Sequence, residues 1–259
     1  MRWDGSVAVI TGASRGIGRA VARAAAERGA QVGLISRSQD ELDAVLKEVG
    51  GRGAASVADV SRRDDIERAI SELESVLGPA DILVNNAGIG AWAAFNDEPV
   101  ETFERLMRIN YLGTIYAMKA VLPGMLARGR GHIVNVASIA GRIGSPFEAA
   151  YSASKFAVVG LSEAVAIEVG NKGVGVSIVD PGPVDTDFFD ARGVPYARST
   201  PKPVSAERVA RDVIRVVEKN KLETFIPRWL QFAAISRLAM PPIYRTGTTR
   251  AFRKELGGK

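Results

Sequence analysis

Short apolar runs alternate with longer amphipathic stretches along most of this chain, and few architectures accept that rhythm. Val7-Ala8-Val9-Ile10 reads as a strand buried on both faces, followed by a helix over 16–29 with Ile17, Ala20, Val21 and Ala24 on one side. Strands are predicted at Val32–Ile35, Ala55–Ala58 and Ile82–Val84, with helices over 39–49 and 63–77 between them. The second half repeats the pattern: a long helix within 99–127, a strand at Ile133–Val136, a helix over 151–170, a strand at Val174–Val179, a helix over 205–219 and a last strand at Glu223–Ile226. Strand–helix–strand repetition predicts an α/β fold, a doubly wound parallel sheet with helices on both faces in three layers. Residues 1–226 are expected to form one domain and 227–259 a C-terminal extension, because the composition first shifts near residue 222.

Composition excludes several chemistries. The 259 residues contain no cysteine and one histidine, His132, so disulfides, thiolate nucleophiles, iron–sulfur clusters and cysteine or paired-histidine zinc sites are out of reach. No metal is expected. A hydrolase triad could use only His132, which opens a strand at the edge away from the glycine-rich turn. The net charge of +5 sits in the tail: residues 222–259 carry seven basic and two acidic side chains, and the rest balance. A basic tail on a neutral domain is a weak case for nucleic acid, which is not expected as a partner.

The first strand runs into Thr11-Gly12-Ala13-Ser14-Arg15-Gly16-Ile17-Gly18. Glycines at such a turn let backbone N–H groups approach a pyrophosphate, and the next helix offers its positive N-terminus. After the second strand stand Ser36 and Arg37, with no acid before Asp40. A cation there suits a 2′-phosphate, so Arg37 and Arg15 favour NADP over NAD.

Tyr151-Ser152-Ala153-Ser154-Lys155 opens a helix and puts Tyr151 and Lys155 on one face. An ammonium beside a phenol is expected to lower the tyrosine pKa toward neutral, as a general acid/base for an alcohol or carbonyl requires. Ser138 follows the strand that ends at Val136, on the carboxyl edge of the sheet where ligands bind in such folds.

With Asn85-Asn86-Ala87-Gly88, Asn110 and Pro181-Gly182-Pro183-Val184-Asp185-Thr186, these pieces resemble the short-chain dehydrogenase/reductase family, a single-domain Rossmann-like fold. The resemblance implies Tyr151 as proton donor in reduction and base in oxidation. It implies Lys155 on the nicotinamide ribose, Ser138 polarising the carbonyl, and Asn110 anchoring a water for proton relay. It further places Gly12, Ser14, Arg15, Gly16, Ile17 and Gly18 on the cofactor phosphates, and Ser36 and Arg37 on the adenosine end. Asp59 and Val60 would lie at adenine, and Asn86, Ala87 and Gly88 along the ribose. Pro181, Gly182, Val184 and Thr186 would flank the nicotinamide. A homodimer or homotetramer through the helices at 99–127 and 151–170 is also implied.

The expected function is hydride transfer between NADP(H) and a carbonyl or secondary alcohol. The alternative is a catalytically silent NADP(H)-binding regulator of the same fold. Residues 181–203 hold five prolines and two glycines and read as a lid. Phe188, Phe189, Val194 and Tyr196 in it, with Ile139, Ile143 and Phe147, predict an apolar substrate pocket. The N-terminus has no apolar leader, and no run of ~18 apolar residues exists, so the expected compartment is the cytoplasm. The tail 227–259 is apolar, then basic, and must bury against the lid, a second subunit or a membrane surface. Arg228 and Arg237 fall on opposite sides of a helical projection, so no clean amphipathic helix is predicted there.

Overall fold

Every apolar run read as a strand pairs into one sheet. In the computed structural model, which describes residues 1–259 except Ser199, Lys254, Gly258 and Lys259, β1 (Val7–Thr11), β2 (Gln31–Ser36), β3 (Gly53–Val57), β4 (Ile82–Asn85), β5 (Gly131–Val136) and β6 (Val174–Pro181) are joined by β9 (Glu223–Ile226). All pairs are parallel and the order is β3-β2-β1-β4-β5-β6-β9. Parallel strands need crossovers, and helices supply them: α1 (Gly16–Ala26), α2 (Gln39–Glu48), α3 (Arg63–Leu77), α4 (Val100–Leu106), α5 (Gly113–Arg128), α6 (Ala149–Val169) and α8 (Ala206–Lys219).

Side-chain alternation along the strands builds two cores. Ala8 and Ile10 of β1 pack with α1, α2 and α8, whereas Val9 packs with α3 and α5 on the other face. The layers are therefore helix–sheet–helix, and the fold is Rossmann-like. The chain runs outward from β1 to β3, then returns past β1 to β4. That reversal splays the connections apart and leaves a crevice at the carboxyl ends of β1 and β4.

Three regions depart from the sequence expectations. The long helix of 99–127 is broken by a π-helical turn over Met107–Leu112, between α4 and α5. This wide turn carries Asn110 inward, and Thr114 Oγ1 donates to the Asn110 carbonyl at 2.9 Å. The 181–203 segment is not a bare loop: β7 (Val184–Asp185) pairs in parallel with β8 (Val204–Ser205), and α7 (Phe188–Ala191) lies between them. The tail forms α9 (Gln231–Ala239) and α10 (Pro241–Ala251), where the sequence predicts no clean amphipathic helix. Both fold back on the domain. Tyr244 Oη donates to Gly144 O at 3.2 Å, and the buried Phe252 stacks on Trp92 with centroids 6.4 Å apart. Lys254 and Lys259 of the basic tail lie outside the described residues. Among the described residues, no helix is long and apolar enough to cross a membrane.

Candidate active site

A cavity of about 880 Å³ starts at the glycine turn, passes the ends of β4 and β5, and reaches α9 and α10. At its first end Gly12, Ser14, Arg15, Gly16 and Ile17 line the wall. Gly12 and Gly16 have positive φ, +63° and +52°, which an L side chain resists. A Cβ on Gly12 would lie 2.8 Å from Ala87 Cα, and one on Gly16 would lie 3.2 Å from Thr186 Cγ2. Glycine at both positions thus lets the turn pack against Ala87 and Thr186 while it lines the cavity. Gly18 differs: it does not line the cavity, and a Cβ there would strike the Gly12 carbonyl. Its smallness lets α1 close on β1.

Asn86 holds the turn in shape. Its Nδ2 donates to Thr11 O and Gly12 O, both at 3.1 Å, and Thr11 Oγ1 accepts from the Asn86 and Ala87 N–H groups. Ser36, Arg37, Asp59 and Val60 line the same end, and Asp59 Oδ1 accepts from Ser61 N at 2.9 Å. Arg15 and Arg37 are both exposed at the rim, and Glu41, on the first turn of α2, joins them. The sequence reading gave Glu41 no role.

Past Ala87 and Gly88 the cavity meets Ser138, Tyr151 and Lys155. Ser138 caps a short 3₁₀ turn over Ile139–Gly141, accepting from Ala140 N at 3.1 Å, and its hydroxyl lies against the Tyr151 phenol. Lys155 Nζ donates to Val136 O at 2.9 Å and stands 5.9 Å from the Tyr151 ring centroid. Burial pushes the phenol pKa up, and the Ser138 hydroxyl opposes this more weakly. Burial also pulls the Lys155 ammonium down to about 8, against the attraction of Asp180. The tyrosine pKa therefore rises, rather than falling toward neutral as the Tyr151–Lys155 spacing predicts. Desolvation penalises a charge on either group, and at Tyr151 it outweighs the Ser138 hydroxyl and the Arg192 guanidinium, which favour the phenolate. Tyr151 rests as a neutral phenol, which is a proton donor.

Asn110 does not line the cavity. Its Nδ2 donates to Ile89 O at 3.0 Å and Ser154 Oγ at 2.9 Å, and its Oδ1 accepts from Ile89 N at 2.9 Å. It ties the loop after β4 to α6 directly beneath Tyr151. Pro181, Gly182, Val184 and Thr186 also line the cavity, as do Phe188, Phe189, Tyr196, Ile139 and Ile143. Val194 and Phe147 do not; Phe147 instead stacks on Trp92 at 5.4 Å.

Several neighbours went unread in the sequence. Glu148, at the start of α6, forms an ion pair with Arg192 of the lid, and both line the cavity. The Arg192 guanidinium is sandwiched between Trp92 and Phe189, 4.6 Å from each centroid, so the pair pins the lid across the chamber. Behind Ser138, Arg142 reaches Glu163 at 2.6 Å, Asp180 at 3.2 Å and Glu223 at 2.7 Å, joining α6, β6 and β9. Burial pushes the Asp180 carboxyl up while Arg142 pulls it down. His132 is buried at the far end of β5, with Nε2 2.8 Å from Ser177 Oγ, and burial pulls its pKa to about 4. That leaves it a packing residue remote from the cavity.

Residues 6–194 match the model of a family described as short chain dehydrogenase. A sorbitol dehydrogenase of Cereibacter sphaeroides is 38% identical over 198 residues, covering 76% of this chain and 77% of that protein. A D-beta-hydroxybutyrate dehydrogenase of Rhizobium meliloti is 32% identical over 249 residues, covering 94% and 92%. The crystal structure of an alcohol dehydrogenase from Thermococcus sibiricus, complexed with 5-hydroxy-NADP, superposes with a TM-score of 0.77 at 29% identity, covering 85% of this chain and 95% of that one.

Proposed function

Because the chain belongs to the short-chain dehydrogenase/reductase family, as an oxidoreductase acting on alcohols or carbonyls, we propose that it uses NADP(H) and reduces or oxidises an apolar small molecule with Tyr151 as general acid/base. The observation that carries this is a single cavity that joins the glycine turn to the Ser138–Tyr151–Lys155 cluster.

The residues present fit a dinucleotide. The turn packs so closely on Ala87 at Gly12 and on Thr186 at Gly16 that a Cβ at either would crowd them, and at Gly88 a Cβ would lie 3.1 Å from Asn110 Oδ1 and 3.6 Å from Lys155 Nζ; only glycine lets the backbone line the cavity at these points. Gly12, Ser14, Gly16 and Ile17 would hold the pyrophosphate, and Arg15 and Arg37 the 2′-phosphate, with Ser36, Asp59 and Val60 around the adenosine. Asn86, Ala87 and Gly88 would flank the ribose, and Pro181, Gly182, Val184 and Thr186 the nicotinamide end. When bound, the cofactor supplies the hydride donor or acceptor.

The chain supplies orientation and the proton. The Ser138 hydroxyl donates to the substrate carbonyl oxygen and fixes it at the Tyr151 phenol. Tyr151, neutral because it is buried, gives its proton to that oxygen as it becomes an alcohol. The phenolate left behind is stabilised by the Lys155 ammonium, held by Val136 O. Asn110 keeps the β4 loop and α6 in register, so these groups stay aligned. The chamber walls beyond Tyr151, among them Ile139, Ile143, Phe188 and Leu230, favour an apolar substrate. A homo-oligomer through α5 and α6 is part of the same proposal.

A panel of apolar ketones and diketones assayed with NADPH and with NADH, by loss of nicotinamide absorbance, tests this reading. Turnover that favours NADPH and rises with substrate hydrophobicity is expected. No turnover of any carbonyl by folded protein that still binds NADPH overturns it in favour of a silent binding protein.

The Lys155 shift gives a pH prediction. Its folded pKa of about 8 lies below the ordinary 10.5, so the ammonium is present below pH 8 and lost above it. For carbonyl reduction, kcat/KM should fall as the pH rises through about 8, since this ratio reports the free enzyme. Lys155→Arg should keep whatever activity it retains flat across that range. A wild-type profile flat from pH 7 to 9 would remove Lys155 from the proton chemistry.

A further inference from the structure

We propose that the outer face of α9 and α10 docks on the surface of an anionic lipid bilayer, with the chamber mouth turned toward the lipid. α9 has two sides. Ala233 and Ser236 line the chamber, while Phe232, Ile235 and Leu238, spaced three apart, stand 63%, 52% and 75% exposed on the other side. Trp229 before the helix and Met240 and Ile243 after it extend this into a ridge of six large exposed apolar side chains. Trp229 and Ile243 also line the cavity, so the ridge runs into the mouth of the chamber. The ridge is part of a tail that is already packed on its own domain, through Phe252 and Tyr244. What stays exposed is thus left over after intramolecular packing, and an apolar patch of this kind marks a docking surface.

Charge selects the occupant. From Phe225 through Lys254 the chain contains no Asp or Glu, yet holds Arg228, Arg237, Arg245, Arg250, Arg253 and Lys254. Arg228, Arg245, Arg250 and Arg253 are exposed. A two-fold contact with a second copy would set this cationic patch against itself, with no acid in the segment to meet it. Nucleic acid would satisfy the arginines but leave Phe232 and Leu238 against water or sugar. An anionic bilayer satisfies both: headgroups meet the arginines and the acyl boundary takes the ridge, with Trp229 at the interface. The helices are too short to cross, so they lie on the surface. On the reading of the cavity as a substrate chamber, apolar carbonyls dissolved in lipid would reach Tyr151 without crossing water.

The test pellets the full-length protein with phosphatidylcholine vesicles, with and without phosphatidylserine, at low and high salt. Binding to the serine-containing vesicles is expected, weakened by salt. Arg245→Gln with Arg250→Gln should reduce partitioning on the order of ten-fold or more. Phe232→Glu with Leu238→Glu should abolish it while leaving turnover of a water-soluble ketone unchanged, since neither residue lines the chamber. A melting curve verifies that each variant is folded. Failure of folded wild-type protein to bind, or binding that survives both variants, overturns the proposal. So does a ridge variant that changes only the sedimenting mass of the protein, because the occupant is then a second copy. Pelleting needs neither cofactor nor substrate, so its outcome is independent of the catalytic reading.

Discussion

Tyr151→Phe is expected to lower kcat by on the order of 10²–10⁴-fold while NADPH affinity stays within about two-fold of the wild type. The substitution keeps the ring, which packs on Phe188 with centroids 5.5 Å apart, and removes only the hydroxyl that faces Ser138. Because burial holds the phenol neutral, the lost group is a proton donor rather than a charge that anchors the cofactor. Lys155→Ala should behave differently and harm both kcat and NADPH binding, since Nζ lies close to Gly88 as well as to the phenol. Single-turnover rates with NADPH and fluorescence titration of cofactor binding separate the two effects. A Tyr151→Phe enzyme that keeps a tenth of the normal kcat or more would mean that the proton comes from another group, and Ser138 would be the first to examine.

Arg37→Asp should lower the ratio of kcat/KM for NADPH to that for NADH by on the order of ten-fold or more. A hydrogen bond to a charged group contributes roughly 1.5–3 kcal/mol, and 1.4 kcal/mol is a factor of ten. Arg37 is exposed at the rim, so solvent screening puts the effect toward the low end, before the repulsion that the new carboxylate adds. Arg15→Ala should move the ratio in the same direction by less. Arg15 stands 3.9 Å from Asp187 of the lid and shares its charge with that contact. Glu41 at the same end opposes a 2′-phosphate, so Glu41→Gln should raise the preference. Equal kcat/KM for the two cofactors in the unmodified enzyme would sink the assignment of Arg15 and Arg37.

The alternation of apolar runs and amphipathic stretches was enough to read the strands and most of the helices, because parallel strands buried on both faces leave continuous apolar runs. The glycine turn and the Tyr151–Lys155 spacing were legible for a similar reason. Each is a local constraint, one on φ and one on helical phase, written within eight residues. Other features depend on contacts between distant segments. The π-helical turn at Met107–Leu112 looks in sequence like continuous helix, since its extra residue shifts the apolar phase by only about a quarter of a turn. The Glu148–Arg192 pair joins positions 44 residues apart, and Arg142 gathers acids from α6, β6 and β9. The direction of the tyrosine shift could not be read from the Tyr–Lys spacing either, because burial is set by all the elements packed around the phenol.

The tail divides most clearly. Its sequence established that residues 227–259 are too apolar to remain solvated and too basic to be neutral, which is a property of composition alone. Only the tertiary structure decided which apolar residues turn inward to wall the chamber, as Leu230, Ala233 and Phe252 do, and which remain outside, as Phe232 and Leu238 do. That choice is made by the shape of the surface the helices land on, here the Trp92 ring and the loop at Gly144, which no local pattern within the tail encodes.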